Sequence, residues 1–341
     1  MEEMTKELES ETLASETPES QAATAESEAA ESEPQGEVLV RVTDLLKHYG
    51  PIKAVDGIDL TARRGEILGF MGPNGAGKTT AMRIITGFLE ADRGTVEVCG
   101  HNMAENSLEA RRRIGYLPEN APAYGEMTVT GFLEFIAEAR EVDNVDAAIR
   151  RVIGLAELQK VQHQTIETLS KGFKRRVGLA QALIHDPEVL ILDEPTDGLD
   201  PNQKAVVQDL IAGLSKDKCI ILSTHILDEV EKVCNRAVII SQGKLLVDST
   251  PKELIRQAPG HNVVRVLVKG DPEELSSKIQ AADWCDFIEV ADSEITVYPK
   301  FGESRLAEIL ELADGTILES VEQQEGRLDD LFRRVTQGVS R

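Results

Sequence analysis

The segment Gly72-Pro73-Asn74-Gly75-Ala76-Gly77-Lys78-Thr79 has the spacing of a phosphate-binding loop, GxxxxGK[ST]. Its glycines let the backbone curl until successive N–H groups aim at phosphate oxygens. A helix opening at Lys78 adds its free N-terminal donors, Thr80 among them, and the positive end of its dipole. Lys78 supplies a point charge for the β- and γ-phosphates, and the Thr79 hydroxyl a ligand for Mg2+. Further along, the apolar run Leu190-Ile191-Leu192 ends in Asp193 and Glu194. Successive residues at a strand end diverge, so two acids can take two jobs. Asp193 is expected to hold Mg2+ through its water or Thr79 shell, and Glu194 to orient and deprotonate an attacking water. Loop and acids together predict a Mg2+-dependent nucleotide hydrolase. The NKxD set that reads guanine is missing, since Asn202-Gln203-Lys204 does not match it. A small-molecule kinase would not need the motifs that follow.

These residues need strands and helices to hold them. Val38 to Val42 and Gly65 to Gly72 are apolar runs short enough for strands, the second leading into the loop. From Lys78 to Leu89 the spacing turns helical. Gly94 to Gly100 alternates, as an exposed or edge strand does. Residues from about 118 to 181 are mainly helical, with Phe132, Leu133 and Ile136 on one apolar face. Glu188 to Glu194, Cys219 to Thr224 and Ala237 to Ser241 are further strand candidates. The mixture predicts an α/β core with a helical insert. A boundary falls near Ala258-Pro259-Gly260. Beyond it the pattern runs strand, helix, strand, strand, helix, strand, the order of a small ferredoxin-like α+β domain, closed by the helix Leu328 to Val335. The expected division is an acidic tail over 1–36, a nucleotide-binding domain over 37–258 and an accessory domain over 262–338.

Composition narrows the function classes. The 341 residues are 41% hydrophobic and 28% charged, with a net charge of -23. Residues 1–36 hold eleven Glu and one Lys, and so few large apolar side chains that disorder is expected there. An acidic chain is poorly suited to general nucleic-acid binding. No run of about 18 apolar residues is present to span a bilayer, and no apolar N-terminal stretch resembles a secretory signal. The four cysteines form no CxxC pair, which fits a reducing compartment better than a zinc site or a disulfide framework.

Leu169-Ser170-Lys171-Gly172-Phe173 opens a helical stretch before Leu190-Ile191-Leu192-Asp193-Glu194-Pro195, and Ser223-Thr224-His225 follows. At these residues the chain resembles an ABC-type ATP-binding cassette over roughly 37–250. The resemblance implies a P-loop NTPase of ABC cassette type, hydrolysing ATP. It implies that Tyr49 stacks on adenine and that His225 contacts the γ-phosphate. In that family two cassettes pair head to tail. Ser170 and Gly172 would then meet a γ-phosphate held by the partner, and Asp200 would link the two sites. Glu119, in Tyr116-Leu117-Pro118-Glu119-Asn120, stands where the family usually has Gln, and is expected to reach Mg2+ or water. Lys171 and Phe173 depart from the usual LSGGQ. Lys174, Arg175 and Arg176 follow in the first turn, where cations oppose the helix dipole. They are expected either to attract the partner's nucleotide or an acidic surface, or to form a solvated basic face.

The departures, the stretch Glu119 to Val129 and the extra C-terminal domain resemble cassettes of the ABC-2 export type, including the gliding-motility branch. The resemblance implies the motor subunit of a transporter, with a separate transmembrane permease and a second cassette as partners. It implies a cytoplasmic location at the inner face of the membrane. Two rivals stand beside it. A non-transport ABC ATPase of translation would carry two fused cassettes, and one of chromosome maintenance long heptad arms. Only one signature and no such arms occur here. A cassette that no longer hydrolyses ATP would not need Asp193, Glu194 and His225.

Overall fold

The computed structural model describes residues 36–120 and 123–337. Almost all of the expected acidic tail lies outside these residues. The chain begins with two long antiparallel strands, β1 (Val38–Tyr49) and β2 (Ile52–Arg63), joined by a two-residue turn at Gly50-Pro51. Then come β3 (Ile67–Met71), the phosphate-loop segment, and helix α1 (Lys78–Ile85). β4 (Arg93–Val98), β5 (His101–Asn102), α2 (Ser107–Arg112) and β6 (Ile114–Leu117) follow. The helical insert holds α3 (Val129–Ala139), α4 (Val145–Leu155) and α5 (Lys171–Leu183). The chain then alternates β7 (Val189–Asp193), α6 (Pro201–Leu214), β8 (Cys219–Thr224), α7 (Leu227–Val233) and β9 (Arg236–Ser241), and leaves through β10 (Lys244–Ser249) and α8 (Pro251–Arg256).

A six-stranded sheet of order β10-β9-β3-β8-β7-β6 carries the loop. It is parallel throughout except for β10. Parallel sheets are covered on both faces, so their strands are apolar without alternation; every residue of β3, β7 and β8 is buried. On one face Leu190, Leu192, Ile220, Leu222 and Ile239 pack with the insert and with α6 and α7. On the other, Leu68, Phe70, Ile191, Ile221 and Val238 pack with α1 and with the antiparallel sheet β2-β1-β4-β5. Burial on both faces explains why the runs in β3, β7, β8 and β9 stand out in the sequence. The partly exposed β2, the four-residue β6 and the edge strand β10 carry no such run and do not stand out in the sequence.

The C-terminal segment holds β11 (Val264–Val268), α9 (Glu273–Gln280), β12 (Cys285–Ala291), β13 (Glu294–Pro299), α10 (Leu306–Leu312), β14 (Leu318–Gln323) and α11 (Leu328–Gln337). Its sheet is antiparallel, ordered β12-β13-β11-β14, over a core of its own that includes Val266, Ile279, Ile295 and Ile309. The final helix departs from the expected division. Leu328 and Leu331 of α11 do not join that core; they are buried in the nucleotide-binding part, in the cluster that holds Leu227, Val230, Leu254 and Ala258. The accessory core is instead built with Leu275 and Ile279 of α9 and Ile309 of α10.

Leu328, 1% exposed, tests this docking. Leu328→Ala should cost about 2–5 kcal/mol of stability, the range for a buried Leu-to-Ala change, read as a lower urea midpoint of the cassette transition. An unchanged midpoint would place α11 off the cassette.

Candidate functional site

Strands β3, β8 and β7 are in register: Met71 pairs with Thr224, and Asp193 with Ser223. Their carboxyl ends therefore open on one edge of the sheet, where α/β proteins commonly bind ligands. The loop after β3 makes the tight turn that its glycines permit. Gly77, with φ 108°, caps α1 in the left-handed region, and a Cβ there would lie 2.0 Å from the Ala54 carbonyl oxygen. No side chain fits that position.

The edge forms a cleft of about 600 Å3. Lining it are Tyr49, the loop residues Pro73, Asn74, Gly75, Ala76, Gly77 and Lys78, then Thr79, Thr80, Glu119, Glu194 and His225. Ile52, Ala54 and Asp197 complete the wall, three residues that no motif in the sequence marks. Ile52 pairs with Tyr49 across the β1–β2 turn, and both are exposed, at 65% and 49%. The two side chains make an apolar ledge suited to a flat ring.

Lys78 is buried and donates from Nζ to the carbonyl oxygens of Gly72 (2.7 Å) and Pro73 (3.4 Å). Burial lowers its pKa, against the pull of Glu194, Asp193 and Glu119 toward the charged form. Glu194 faces it, with Oε1 3.8 Å from Nζ and Oε2 2.9 Å from Nδ1 of His225. Burial raises the Glu194 pKa, while His225 and Lys78 act in the opposite sense. A carboxylate held in this way is a stronger proton acceptor than an exposed one. Its backbone sits at φ 50°, a left-handed geometry that costs a non-glycine residue about 1 kcal/mol or more. The Glu194 N–H donates to both the carbonyl and the hydroxyl oxygen of Ser223, each at 3.1 Å, which helps to hold that geometry.

Asp193 is buried directly beneath. Its Oδ1 accepts from the Ser223 hydroxyl (2.5 Å), whereas Oδ2 is buried without a hydrogen-bond partner among the described residues. Buried carboxylate oxygens are seldom left so, and an orphaned oxygen beside a phosphate loop fits a cation shell. Among the described residues no three His, Cys, Asp or Glu side chains are grouped to hold a metal unaided. That suits Mg2+, which usually takes one or two protein oxygens and completes its shell with water and phosphate.

Ser170 and Gly172 do not line this cleft. Ser170 caps α5, its hydroxyl accepting from the Phe173 N–H (3.4 Å), and Gly172 is buried against Gln203. Asp200 caps α6 and accepts from the Gln203 N–H (3.0 Å). Lys171 pairs with Asp197 at 3.2 Å.

The expectation of a shared role for Lys174, Arg175 and Arg176 is corrected. Lys174 donates to the Glu167 carbonyl (2.8 Å), and Arg176 lies 4.3 Å over the Phe173 ring and pairs with Glu157. Arg175 turns inward, 5% exposed, and its guanidinium binds backbone carbonyls beneath the cleft. Only the helical phase of α5 separates the three, and three adjacent cations in a sequence do not reveal it.

The ABC transporter family profile matches residues 55–197. Nod factor export ATP-binding protein I of Paraburkholderia xenovorans is 30% identical over 88% of this chain and 97% of its own length. Bacitracin transport ATP-binding protein BcrA of Bacillus licheniformis is 32% identical over 88% of this chain and 98% of its own. A solved structure of an ABC transporter ATP-binding subunit superposes with a TM-score of 0.59 at 29% identity, covering 64% of this chain and 92% of that one.

The raised Glu194 pKa sets a direction for stability. The folded state binds this proton more tightly than the unfolded chain, so stability falls as pH rises from about 4 through the raised value. Glu194→Gln should therefore raise the melting temperature of the nucleotide-free protein near neutral pH, and the gain should vanish toward pH 4 in scanning calorimetry. An equal gain at both pH values would exclude ionisation of Glu194 as its cause.

Proposed function

Since the chain belongs to the ABC transporter family as an ATP-binding, ATP-hydrolysing subunit, we propose that this cleft binds MgATP and drives an exporter of the ABC-2 type. The observation that carries the reading is the convergence of the loop, Lys78 and the Glu194–His225 pair in one cleft, while Ser170 and Gly172 stay outside it. A site arranged in this way supplies the base and the phosphate cradle, and leaves the far side of the γ-phosphate to a second cassette, identical or not.

Tyr49 and Ile52 take the adenine ring. The N–H groups of residues 74–80 and the Lys78 ammonium take the phosphates. ATP draws Lys78 away from the Gly72 and Pro73 carbonyls, which are only a substitute for phosphate oxygens. Asp193, Thr79 and Glu119 would hold Mg2+, whose charge screens the phosphates and favours attack by water. Glu194 accepts the proton of that water, and His225 orients Glu194 and reaches toward the γ-phosphate. Binding energy realised through the γ-phosphate closes two cassettes on each other, and its cleavage removes the contacts that held them. Ser170 and Gly172, at the N-terminus of α5, serve the nucleotide held by the partner.

Transport is favoured over work in translation or on chromosomes by relatives named for export or transport that align along nearly their whole length. Among the described residues no helix is long and apolar enough to cross a membrane. In the transporter reading the pore is formed by a separate permease, with the cassette on its cytoplasmic side. A groove between core and insert, lined by Phe88, Leu108, Ile114, Tyr116 and Arg140, fits a permease segment; Phe88 is 72% exposed there, its ring 5.5 Å from that of Tyr116. The accessory β-α-β-β-α-β unit has the strand order of a ferredoxin-like domain and adds regulatory or dimer contacts.

Lys78→Ala should abolish ATP binding in a fluorescent-nucleotide titration. Glu194→Gln should bind ATP normally, lose about 10²-fold or more in phosphate release, and accumulate as a dimer in size-exclusion chromatography with ATP. Wild-type hydrolysis by Glu194→Gln would remove Glu194 as the base. For the transport half, the tagged chain captured from detergent-solubilised membranes should carry a polytopic membrane protein in stoichiometric yield, and Phe88→Glu should lose it while keeping ATPase activity. A purely soluble partner set would overturn the transporter reading and leave the hydrolase intact.

A further inference from the structure

Arg175 is a buried cation whose hydrogen-bond partners are all backbone carbonyl oxygens. Nε donates to Pro195 (2.9 Å). One terminal nitrogen donates to Pro118 (3.1 Å) and Glu119 (2.5 Å), and the other to Asp193 (2.7 Å) and Glu194. Burying a guanidinium with dipoles instead of a carboxylate is costly. A side chain that breaks such a rule commonly serves function. The five acceptors lie on two segments that reach the same cleft from different elements. One is the loop that leaves β6 and carries Glu119; the other is the end of β7, Asp193, with the loop that follows it from Glu194. Only arginine has a rigid fork of five N–H donors able to span both.

We infer that Arg175 is a positioning residue that ties the signature helix to the two carboxylate loops of its own cleft, so that engagement of α5 by a second cassette sets Glu119 and Glu194 together. The inference rests on the reading that Glu194 is the base and that Ser170 and Gly172 meet the partner's nucleotide. Arg175 lies five residues from Ser170 in one helix, about 7.5 Å along its axis, so a shift of the helix end reaches the guanidinium without an intervening hinge. Glu194 is then gripped from both sides: its N–H by Ser223 of β8, its carbonyl by Arg175 of α5. With the grip on the carbonyl released, the left-handed conformation at Glu194 is no longer enforced from both ends and the carboxylate drifts from the attacking water. A misplacement of about 1 Å can cost 10²-fold in rate.

The test compares the full chain with Arg175→Met and Arg175→Lys, with Glu194→Gln in parallel. Arg175→Met keeps most of the volume and no donors; Arg175→Lys keeps the charge and cannot span both loops. Both should bind MgATP within twofold of wild type in a nucleotide titration, yet lose about 10- to 100-fold in kcat. In the double variant Arg175→Met with Glu194→Gln, ATP should still trap the dimer, because the phosphate-facing end of α5 is untouched. Wild-type kcat in Arg175→Met, or full recovery in Arg175→Lys, would overturn the tie. Affinity and kcat falling together, or loss of the ATP-trapped dimer, would overturn it too, assigning Arg175 to general packing or to the dimer surface. Should Arg175→Met fail to give a cooperative melt, Arg175→Lys alone decides by the same kcat criterion. Wild-type hydrolysis in Glu194→Gln would instead sink the underlying reading, so the two failures are distinguishable.

Discussion

Everything at the cleft depends on parallel pairing of β3, β8 and β7. Parallel strands share a direction, so their carboxyl ends stand on one edge, and the register places Met71 beside Thr224 and Asp193 beside Ser223. Residues more than a hundred positions apart in the chain thus approach within hydrogen-bonding range. Such pairing needs both faces covered. The insert and α6–α7 are therefore required on one side of the sheet, and α1 with the antiparallel sheet on the other. The long apolar runs serve the site indirectly, by making its edge possible.

The cleft itself is electrostatically tense. Lys78, Asp193 and Glu194 converge where water is scarce, and each ion is held by something other than a full counterion: carbonyl oxygens for Lys78, one hydroxyl for Asp193, an imidazole and a distant ammonium for Glu194. On the proposed reading, nucleotide and cation would supply what is missing. Positions that the nucleotide-free protein leaves unfavourable are those at which ligand binding gains most.

Legibility in the sequence followed how local each signal was. The phosphate loop and Asp193-Glu194 could be read because their chemistry lies within eight consecutive residues or fewer. The element order of the accessory segment, strand, helix, strand, strand, helix, strand, could be read from its local patterns. The ends of β1 and all of β2 escaped because they are polar on one face and their burial is set by neighbours. Ile52 and Asp197 line the cleft through a turn and a loop that no periodicity marks. In the sequence Arg175 is one of three adjacent cations; only the rotation of α5 turns it under the cleft, leaving Lys174 exposed and Arg176 folded over Phe173. α11 could be predicted as an amphipathic helix, but the face it seeks lies in another part of the chain.

That last helix changes what kind of appendage the accessory sheet is. A domain joined by a single linker swings freely. This one leaves the cassette after α8 and returns to it through α11, which packs beside α8 with Leu328 and Leu331 in the same buried cluster as Leu227 and Val230 of α7. It is mounted at two points on a short arc of structure, and α7 begins two residues after His225. A load applied to the accessory sheet therefore meets the cassette at two mounts beside α7, the helix that follows His225, as a handle bolted at both ends moves the door rather than itself.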